Sequence, residues 1–233
     1  MIGFLKEVFD AEEVFRAVGS AGGYHAEVRI GDCMMMIGGG GADVSWQGES
    51  RPMAFHIYVP DVDATYNRAL QAKAESLQQP ATQEWGERTA NVKDPSGNNW
   101  YIATFQGDNY FSEGAPTIQP YLHPLHSAPV IEFLIAAFGA QETGRAASPE
   151  GAIFHTTVKI GNAALEFSDA AGIYQPMPGM FYLYLPDVDA AYRRALDAGA
   201  TSISAPTDQA YGDRSAGVGD PAGNKWYVAT KIG

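Results

Sequence analysis

Apolar residues in this chain recur in two rhythms, every third or fourth position in some stretches and every second position in others. From Ser127 to Gly139 (SAPVIEFLIAAFG) Ile131, Leu134, Ala137 and Phe138 share one face. That spacing predicts a helix with Ser127 as N-cap and Pro129 in the first turn. Pro120–Pro124 reads as a short strand ahead of it. Phe154–Ile160 and Ala163–Phe167 alternate, and Gly161-Asn162 between them is a hairpin signal. Phe181–Leu185 is a further strand, after which Asp187 caps a helix that gathers Val188, Tyr192, Ala195 and Leu196 on one side. Gly199 suits the left-handed residue that ends this helix. Strands near Thr201–Ser204, Arg214–Val218 and Trp226–Thr230 follow, the last two joined by the turn DPAGN.

The first half shows the same order, and two phrases show why. PDVDATYNRAL (Pro60–Leu70) returns as PDVDAAYRRAL (Pro186–Leu196), and DPSGNNWYIAT (Asp94–Thr104) returns as DPAGNKWYVAT (Asp220–Thr230), both at one spacing. A chain with two matched phrases in register is a tandem duplication. The expected domains are residues 1–106 and 118–233, joined by a Gly- and Pro-bearing linker over 107–117. The first helix, Gly3–Phe9, starts so early that the strand matching Pro120–Pro124 has no counterpart in domain 1.

Composition narrows the class of protein. At 233 residues, 45% hydrophobic and 18% charged, each half can build its own core. A net charge of −12 argues against nucleic acid or an anionic membrane as partner. The single cysteine, Cys33, rules out an internal disulfide and suits a reducing cytoplasm; within CMMMI it reads as a small buried hydrophobe. The longest apolar stretch, Ala128–Ala140, contains Glu132 and is too short to span a bilayer, and the N-terminus lacks the pattern of a signal peptide. A cytoplasmic protein is expected.

With PDVDA opening a helix and YGDR…DPAGN…W closing the unit, the chain resembles the vicinal oxygen chelate superfamily. That group takes in glyoxalase I, fosfomycin-resistance enzymes, bleomycin-binding proteins and extradiol dioxygenases. IEFLIAAFGA, FHTTVKIG and AYGDRSAGVGDPAGNKW look most like its PhnB-like branch. The resemblance covers nearly the whole chain. It implies an α+β fold of tandem βαβββ modules, each domain an incompletely closed eight-stranded sheet around a cavity with helices outside. The two domains would form an intramolecular pseudo-dimer, and a homodimer is compatible with the fold. Function is not implied, because members isomerise, oxygenate, open epoxides or only bind.

The family's shared device is a divalent metal, held by the strand before the first helix, the strand before the PDVDA-type helix and a Glu in the final strand. At the final-strand position this chain has Tyr101 and Tyr227, and at the middle position Ala54 and Met180. A neutral phenol is a poor substitute for a carboxylate. The first-strand position falls near Gln119 or Pro120, and a further family position matches Glu166, opposite Met36 in the other copy. The usual site is therefore expected to be dismantled, with no cofactor. Relocated ligands remain the alternative: His56, His25 and Glu27 in one copy, or Gln119, His155 and Glu166 in the other.

Strand alternation indicates what would line the cavities instead. Ala54, His56 and Tyr58 face inward with Tyr101; Met180, Tyr182 and Tyr184 do so with Tyr227. His25, Glu27 and Arg29 share a face, as do His155, Thr157 and Lys159. An aromatic concave surface with a few polar groups suits a small organic molecule. His25 and His155 recur in both copies, as backbone-satisfying groups near strand ends or as a general base or ligand contact. Arg88 and Arg214 also recur, either ion-paired with Glu87, Asp94, Asp213 or Asp220 or available to a ligand anion. Asp61 and Asp187 read as helix caps. The leading expectation is a metal-independent binding protein; the alternative is a metal-dependent lyase, isomerase or dioxygenase. A third is that domain 1 serves only as a scaffold for domain 2.

Overall fold

The computed structural model describes residues 1–19, 22–40, 48–107, 110 and 114–233. It divides into two compact units, Met1–Pro120 and Tyr121–Gly233. Much of the expected linker over 107–117 lies outside the described residues.

Unit 1 runs α1 (Ile2–Phe9), β1 (Glu12–Val18), β2 (Tyr24–Ile30), β3 (Cys33–Gly39), β4 (Ala54–Tyr58), α2 (Val62–Gln71), β5 (Glu75–Thr82), β6 (Glu87–Lys93) and β7 (Asn99–Phe105). The next strand, β8 (Ile118–Leu122), straddles the unit boundary. Unit 2 continues with α3 (Ser127–Phe138), β9 (Gln141–Ala147), β10 (Ile153–Ile160), β11 (Ala163–Phe167), β12 (Met180–Tyr184), α4 (Val188–Asp197), β13 (Thr201–Asp208), β14 (Asp213–Gly219) and β15 (Lys225–Lys231).

The duplicated βαβββ organisation is present, but neither unit holds its strands in one eight-stranded sheet. In unit 1, β1-β2-β3 is an antiparallel sheet of its own. A second set runs β5-β6-β7-β4, with β4 parallel to β7 and residues 118–120 of β8 antiparallel on its other edge. In unit 2, residues 121–122 of β8 run parallel to β11, followed by β10 and β9, while β12-β15-β14-β13 form a separate sheet. Parallel pairing of a module's first and last strands follows from the helix and hairpin between them.

The phrase DPxGNxW explains how each four-stranded set closes. Asp94 is 3% exposed and accepts from Ser96 N (2.7 Å), Asn98 N (3.1 Å), Asn98 Nδ2 (2.8 Å) and the Trp100 indole (3.0 Å). Gly97 supplies the positive φ that this turn requires. Asn98 Oδ1 in turn accepts from Met53 N, just ahead of β4, at 3.0 Å. Asp220 repeats the pattern with Ala222, Asn224 and Trp226, and Asn224 reaches Gly179 N at 2.8 Å. So fixed, the Trp100 ring stacks on Phe55 (4.8 Å) and meets Phe9 of α1 (4.7 Å), in a core that includes Leu5, Val28, Ile57 and Ile102. Trp226 does the same with Phe181 and Phe138 in unit 2.

Helix ends agree with expectation except one. Asp61 and Asp187 accept from Ala64 N and Ala190 N, each at 2.9 Å, and Gly199 has φ 96°. Ser127 is not a cap: His126 takes that position, and the Ser127 N–H is satisfied by Asp169 Oδ1 at 2.7 Å. Sequence analysis locates no strand between Phe138 and Phe154, yet β9 lies there. It is an edge strand paired only to β10 and mostly exposed, so no apolar alternation marks it. Among the described residues no helix is long and apolar enough to cross a membrane.

Asp94→Ala strands four donors at once, three of them on the buried Asn98 and Trp100. It is expected to cost about 3 kcal/mol or more in urea unfolding. Arg88→Ala, at an exposed ion pair, should shift the same curve far less; equal losses would show that the Asp94 cluster is not the structural centre argued here.

Candidate functional site

The helices pack on one face of the β5-β6-β7-β4 set, against Phe55, Ile57, Val92, Trp100 and Ile102. Strand alternation sends the intervening residues to the opposite, helix-free face. Register aligns them in a row: Gln78 faces Asn91, Asn91 faces Tyr101, Tyr101 faces His56, and His56 faces Gln119. Asn91 Nδ2 donates to Gln78 Oε1 at 3.0 Å. Asn91, Tyr101, His56 and Gln119 are all buried. Five strands thus bring two aromatic rings and three carboxamides into one line.

Tyr58 lies two residues beyond His56, with its ring 4.7 Å from the imidazole. Its hydroxyl donates to Glu87 Oε1 at 2.7 Å, and the Trp85 indole donates to Glu87 Oε2 at 2.9 Å. Beside Tyr58 lies a cavity of about 150 Å³ lined by Asp32, Tyr58, Tyr110, Ala115 and Thr117. Thr117 N donates to Asp32 Oδ1 at 2.9 Å, and hydrogen bonding from Thr117 holds the Asp32 carboxyl below the usual carboxylate range. Neighbouring Cys33 is half-buried, and burial pushes its thiol up to about 11, so it is not a poised nucleophile.

The corresponding face of unit 2 differs. Ser204, Gly217, Tyr227 and Tyr182 are the aligned residues. Gly217 replaces an Asn, and a Cβ there would approach Tyr227 Cε1 to 3.0 Å, so the Tyr227 ring lies against bare backbone. Tyr182 and Tyr184 both donate to Asp213 Oδ2 at 3.0 Å. Burial, with Tyr211 and Asp213 nearby, raises the Tyr182 phenol above its ordinary range. Where β4 is buried throughout, Met180 and Tyr184 of β12 are 46% and 54% exposed.

Of the remaining expected site residues, His25 lies on the separate β1-β2-β3 sheet, 3.7 Å from Glu27. His155 is 3.7 Å from the buried Glu166 and edge-on to Tyr121. Arg88 does not pair with Glu87 or Asp94. Its guanidinium clasps Asp63 of α2 by two bonds (2.5 and 2.8 Å), and Arg214 clasps Asp189 of α4 (2.6 and 2.9 Å) and Asp208. These pairs tie helix to strand and lower both Asp63 and Asp189.

Sequence reasoning considered Glu87 and Asp213 only as ion-pair partners for Arg88 and Arg214, and it passed over His123, which lies just past a strand end. His123 Nδ1 is 2.7 Å from Ser168 Oγ, and its ring sits between Tyr121 (4.4 Å) and Tyr174 (5.2 Å). It borders a cavity of about 20 Å³, room for little more than a water, walled by Pro176, Met177 and Pro178. Burial drives its pKa down to about 4, outweighing the pull of Glu166.

The donors that a family-type metal would need do not fit. Tyr101, Tyr227, Ala54 and Met180 stand at the implied ligand positions, and among the described residues no three His, Cys, Asp or Glu side chains converge.

A duplicated βαβββ chain with helices on one sheet face and functional groups on the other defines a glyoxalase-like protein. The chain belongs to the Glyoxalase/Bleomycin resistance protein/Dioxygenase superfamily, whose model matches residues 1–102 and 127–228. It is 34% identical over 138 residues to an uncharacterized protein of Mycobacterium tuberculosis, covering 54% of this chain and 81% of that protein. A Mycobacterium bovis protein, also uncharacterized, is 34% identical over 128 residues, covering 50% and 84%. The structure is similar to glyoxalase I from Zea mays, with a TM-score of 0.74 and 14% identity over 98% of this chain and 86% of that one. At that identity the likeness establishes the fold alone.

An imidazole that titrates near 4 when folded and near 6.5 when unfolded makes the unfolded chain the better proton acceptor in between. Stability should therefore fall as pH drops from about 6.5 to about 4, by up to roughly 3 kcal/mol. Unfolding curves across this window should lose that slope in His123→Gln; an unchanged slope would assign it to other groups.

Proposed function

We propose that the chain binds a small organic molecule against the helix-free face of unit 1, through neutral polar and aromatic groups and without a metal held by side chains. The observation that carries this reading is the row Gln78, Asn91, Tyr101, His56 and Gln119, buried from Asn91 to Gln119. Carboxamides both donate and accept, and the rings add apolar area, which is the chemistry of an orienting ligand site. The cavity beside Tyr58 is continuous in sequence with this row and would take one end of the ligand. Within the superfamily we place the chain near the PhnB-like branch, on the phrases IEFLIAAFGA and AYGDRSAGVGDPAGNKW. Its acidic composition and single cysteine suit a cytoplasmic role.

One observation favours the metal-dependent reading: His155 and the buried Glu166 approach within 3.7 Å in unit 2. Elemental analysis of the purified full chain, after growth with Mn, Fe, Ni and Zn, separates the two. Metal well below one equivalent is expected. A stoichiometric metal that disappears in Glu166→Gln would establish the alternative. In a ligand-detected NMR screen of small aromatic compounds, His56→Ala and Tyr101→Phe should each weaken hits by about tenfold, the value of one buried hydrogen bond. Hits indifferent to both substitutions would place the site elsewhere.

A further inference from the structure

We propose that the outer face of the β2–β3 hairpin holds a soft monovalent metal ion, Cu(I), between the thioethers of Met34 and Met36 and the imidazole of His25. The inference stands apart from the small-molecule reading above, which concerns another sheet and a ligand bound without metal.

The run CMMMI divides between two faces of β3. Cys33, Met35 and Ile37 pack toward the core of unit 1, whereas Met34 and Met36 point the other way and are 49% and 46% exposed. The fold does not require methionine there. In the duplicate hairpin β10–β11 the same register places Ala164 and Glu166 at these positions. Alternate residues of a strand stand about 7 Å apart, and each thioether has three torsions with which to turn toward the other. One ion can therefore touch both sulfurs.

His25 is the third donor. It faces Gly38, which has no side chain, and its Nε2 leans along β2 to within 3.7 Å of Glu27, the residue opposite Met36. The second copy gives the reach across the strands. His155, the counterpart of His25, brings Nε2 to 3.7 Å from Glu166, the counterpart of Met36. Glutamate and methionine side chains are nearly equal in length, so Met36 Sδ has the span to meet an ion beside His25. Phe15, opposite Glu27 on β1, walls one side with its ring 6.2 Å from the imidazole.

The donor chemistry selects the ion. Two thioethers and an imidazole are neutral, soft to borderline ligands, which suit Cu(I) and serve Mg, Ca or Mn poorly. A hard divalent ion would find only His25 and Glu27 on this face. Glu27 sets one negative charge beside a monovalent cation. Arg29, the cation opposite Met34, is drawn to Glu12 at 2.8 Å.

NMR of the full chain, with its methionine methyl groups labelled, tests this during titration with Ag(I), the redox-inert stand-in for Cu(I). The Met34 and Met36 methyls and the His25 ring should shift together and saturate at one equivalent. Met180 is as exposed as Met36 but has no second thioether two residues away, and its methyl should stay in place. Cys33 is the competing soft ligand, but burial pushes its thiol up to about 11, and the same shifts are expected in a Cys33→Ser chain whose fold is confirmed by circular dichroism. Met36→Leu and His25→Ala should each weaken Ag(I) binding by at least about tenfold. Anaerobic titration with Cu(I) should give the same stoichiometry. Absence of binding overturns the proposal, as does its loss in folded Cys33→Ser or a Met180 methyl that shifts in step with the other two. Displacement of the ion by Zn(II) overturns the choice of a soft ion. The decisive shifts are read on the unaltered chain, so the result does not depend on any variant folding. The small-molecule reading is decided separately by the His56 and Tyr101 screen.

Discussion

The carboxylate of Asp94 gathers donors from a turn, an amide side chain and an indole, and the shape of unit 1 depends on that convergence. Without it the Trp100 ring has no fixed orientation, and Phe55 and Phe9 lose the surface on which they stack. Asn98 extends the same cluster to the residue ahead of β4, which sets where that strand begins beside β7. Strand register decides which residues face the helices, because a slip of one position exchanges the two faces. The row containing His56 and Tyr101 is thus a consequence of a turn on the far side of the sheet.

Thr104 and Thr230 show the same economy at the helix starts. Thr104 Oγ1 donates to Val59 O at 2.8 Å and accepts from Val62 N at 3.1 Å, and Thr230 repeats both bonds with Leu185 and Val188. One hydroxyl at the end of the final strand closes the connection from the module's first strand into its helix. The phrases PDVDA and DPxGNxWxxAT are therefore two ends of one hydrogen-bonded assembly. Their joint recurrence is what makes the duplication visible.

Elements whose local chemistry determines their form were legible from the residues: the Asp61 and Asp187 caps, the Gly161-Asn162 hairpin, the positive φ at Gly199, and the apolar faces of β4 and β7. What escaped depends on partners distant in the chain. Arg88 could be seen to need an acid, but Asp63 lies 25 residues away on α2, and only the packing of that helix over β6 chooses it above adjacent Glu87. Glu87 itself reads in WGER only as a candidate partner for Arg88. Its burial comes from Tyr58, 29 residues earlier, whose position follows from β4 lying beside β7. β9 gave no signal because an exposed edge strand has no apolar face to display.

The two copies diverge where their internal contacts differ, and the buried acid shows the rule. Glu87 and Asp213 begin the same strand, and each must be matched by donors because an unpaired buried carboxylate is costly. In unit 1 the longer Glu87 reaches both Tyr58 and the Trp85 indole. In unit 2 the acid is one methylene shorter, and its partners are Tyr184 and Tyr182, the latter standing where unit 1 has His56. Substituting a phenol for the imidazole moves one aromatic side chain of the row into the carboxylate cluster. The change from Asn91 to Gly217 then lets Tyr227 settle onto the strand. Unit 1 keeps carboxamides and an imidazole in line, whereas unit 2 presents phenols around a carboxylate. The fold is held constant by the same turn in both copies, and groups facing away from the helices are free to vary, so a molecule complementary to one face has no reason to suit the other.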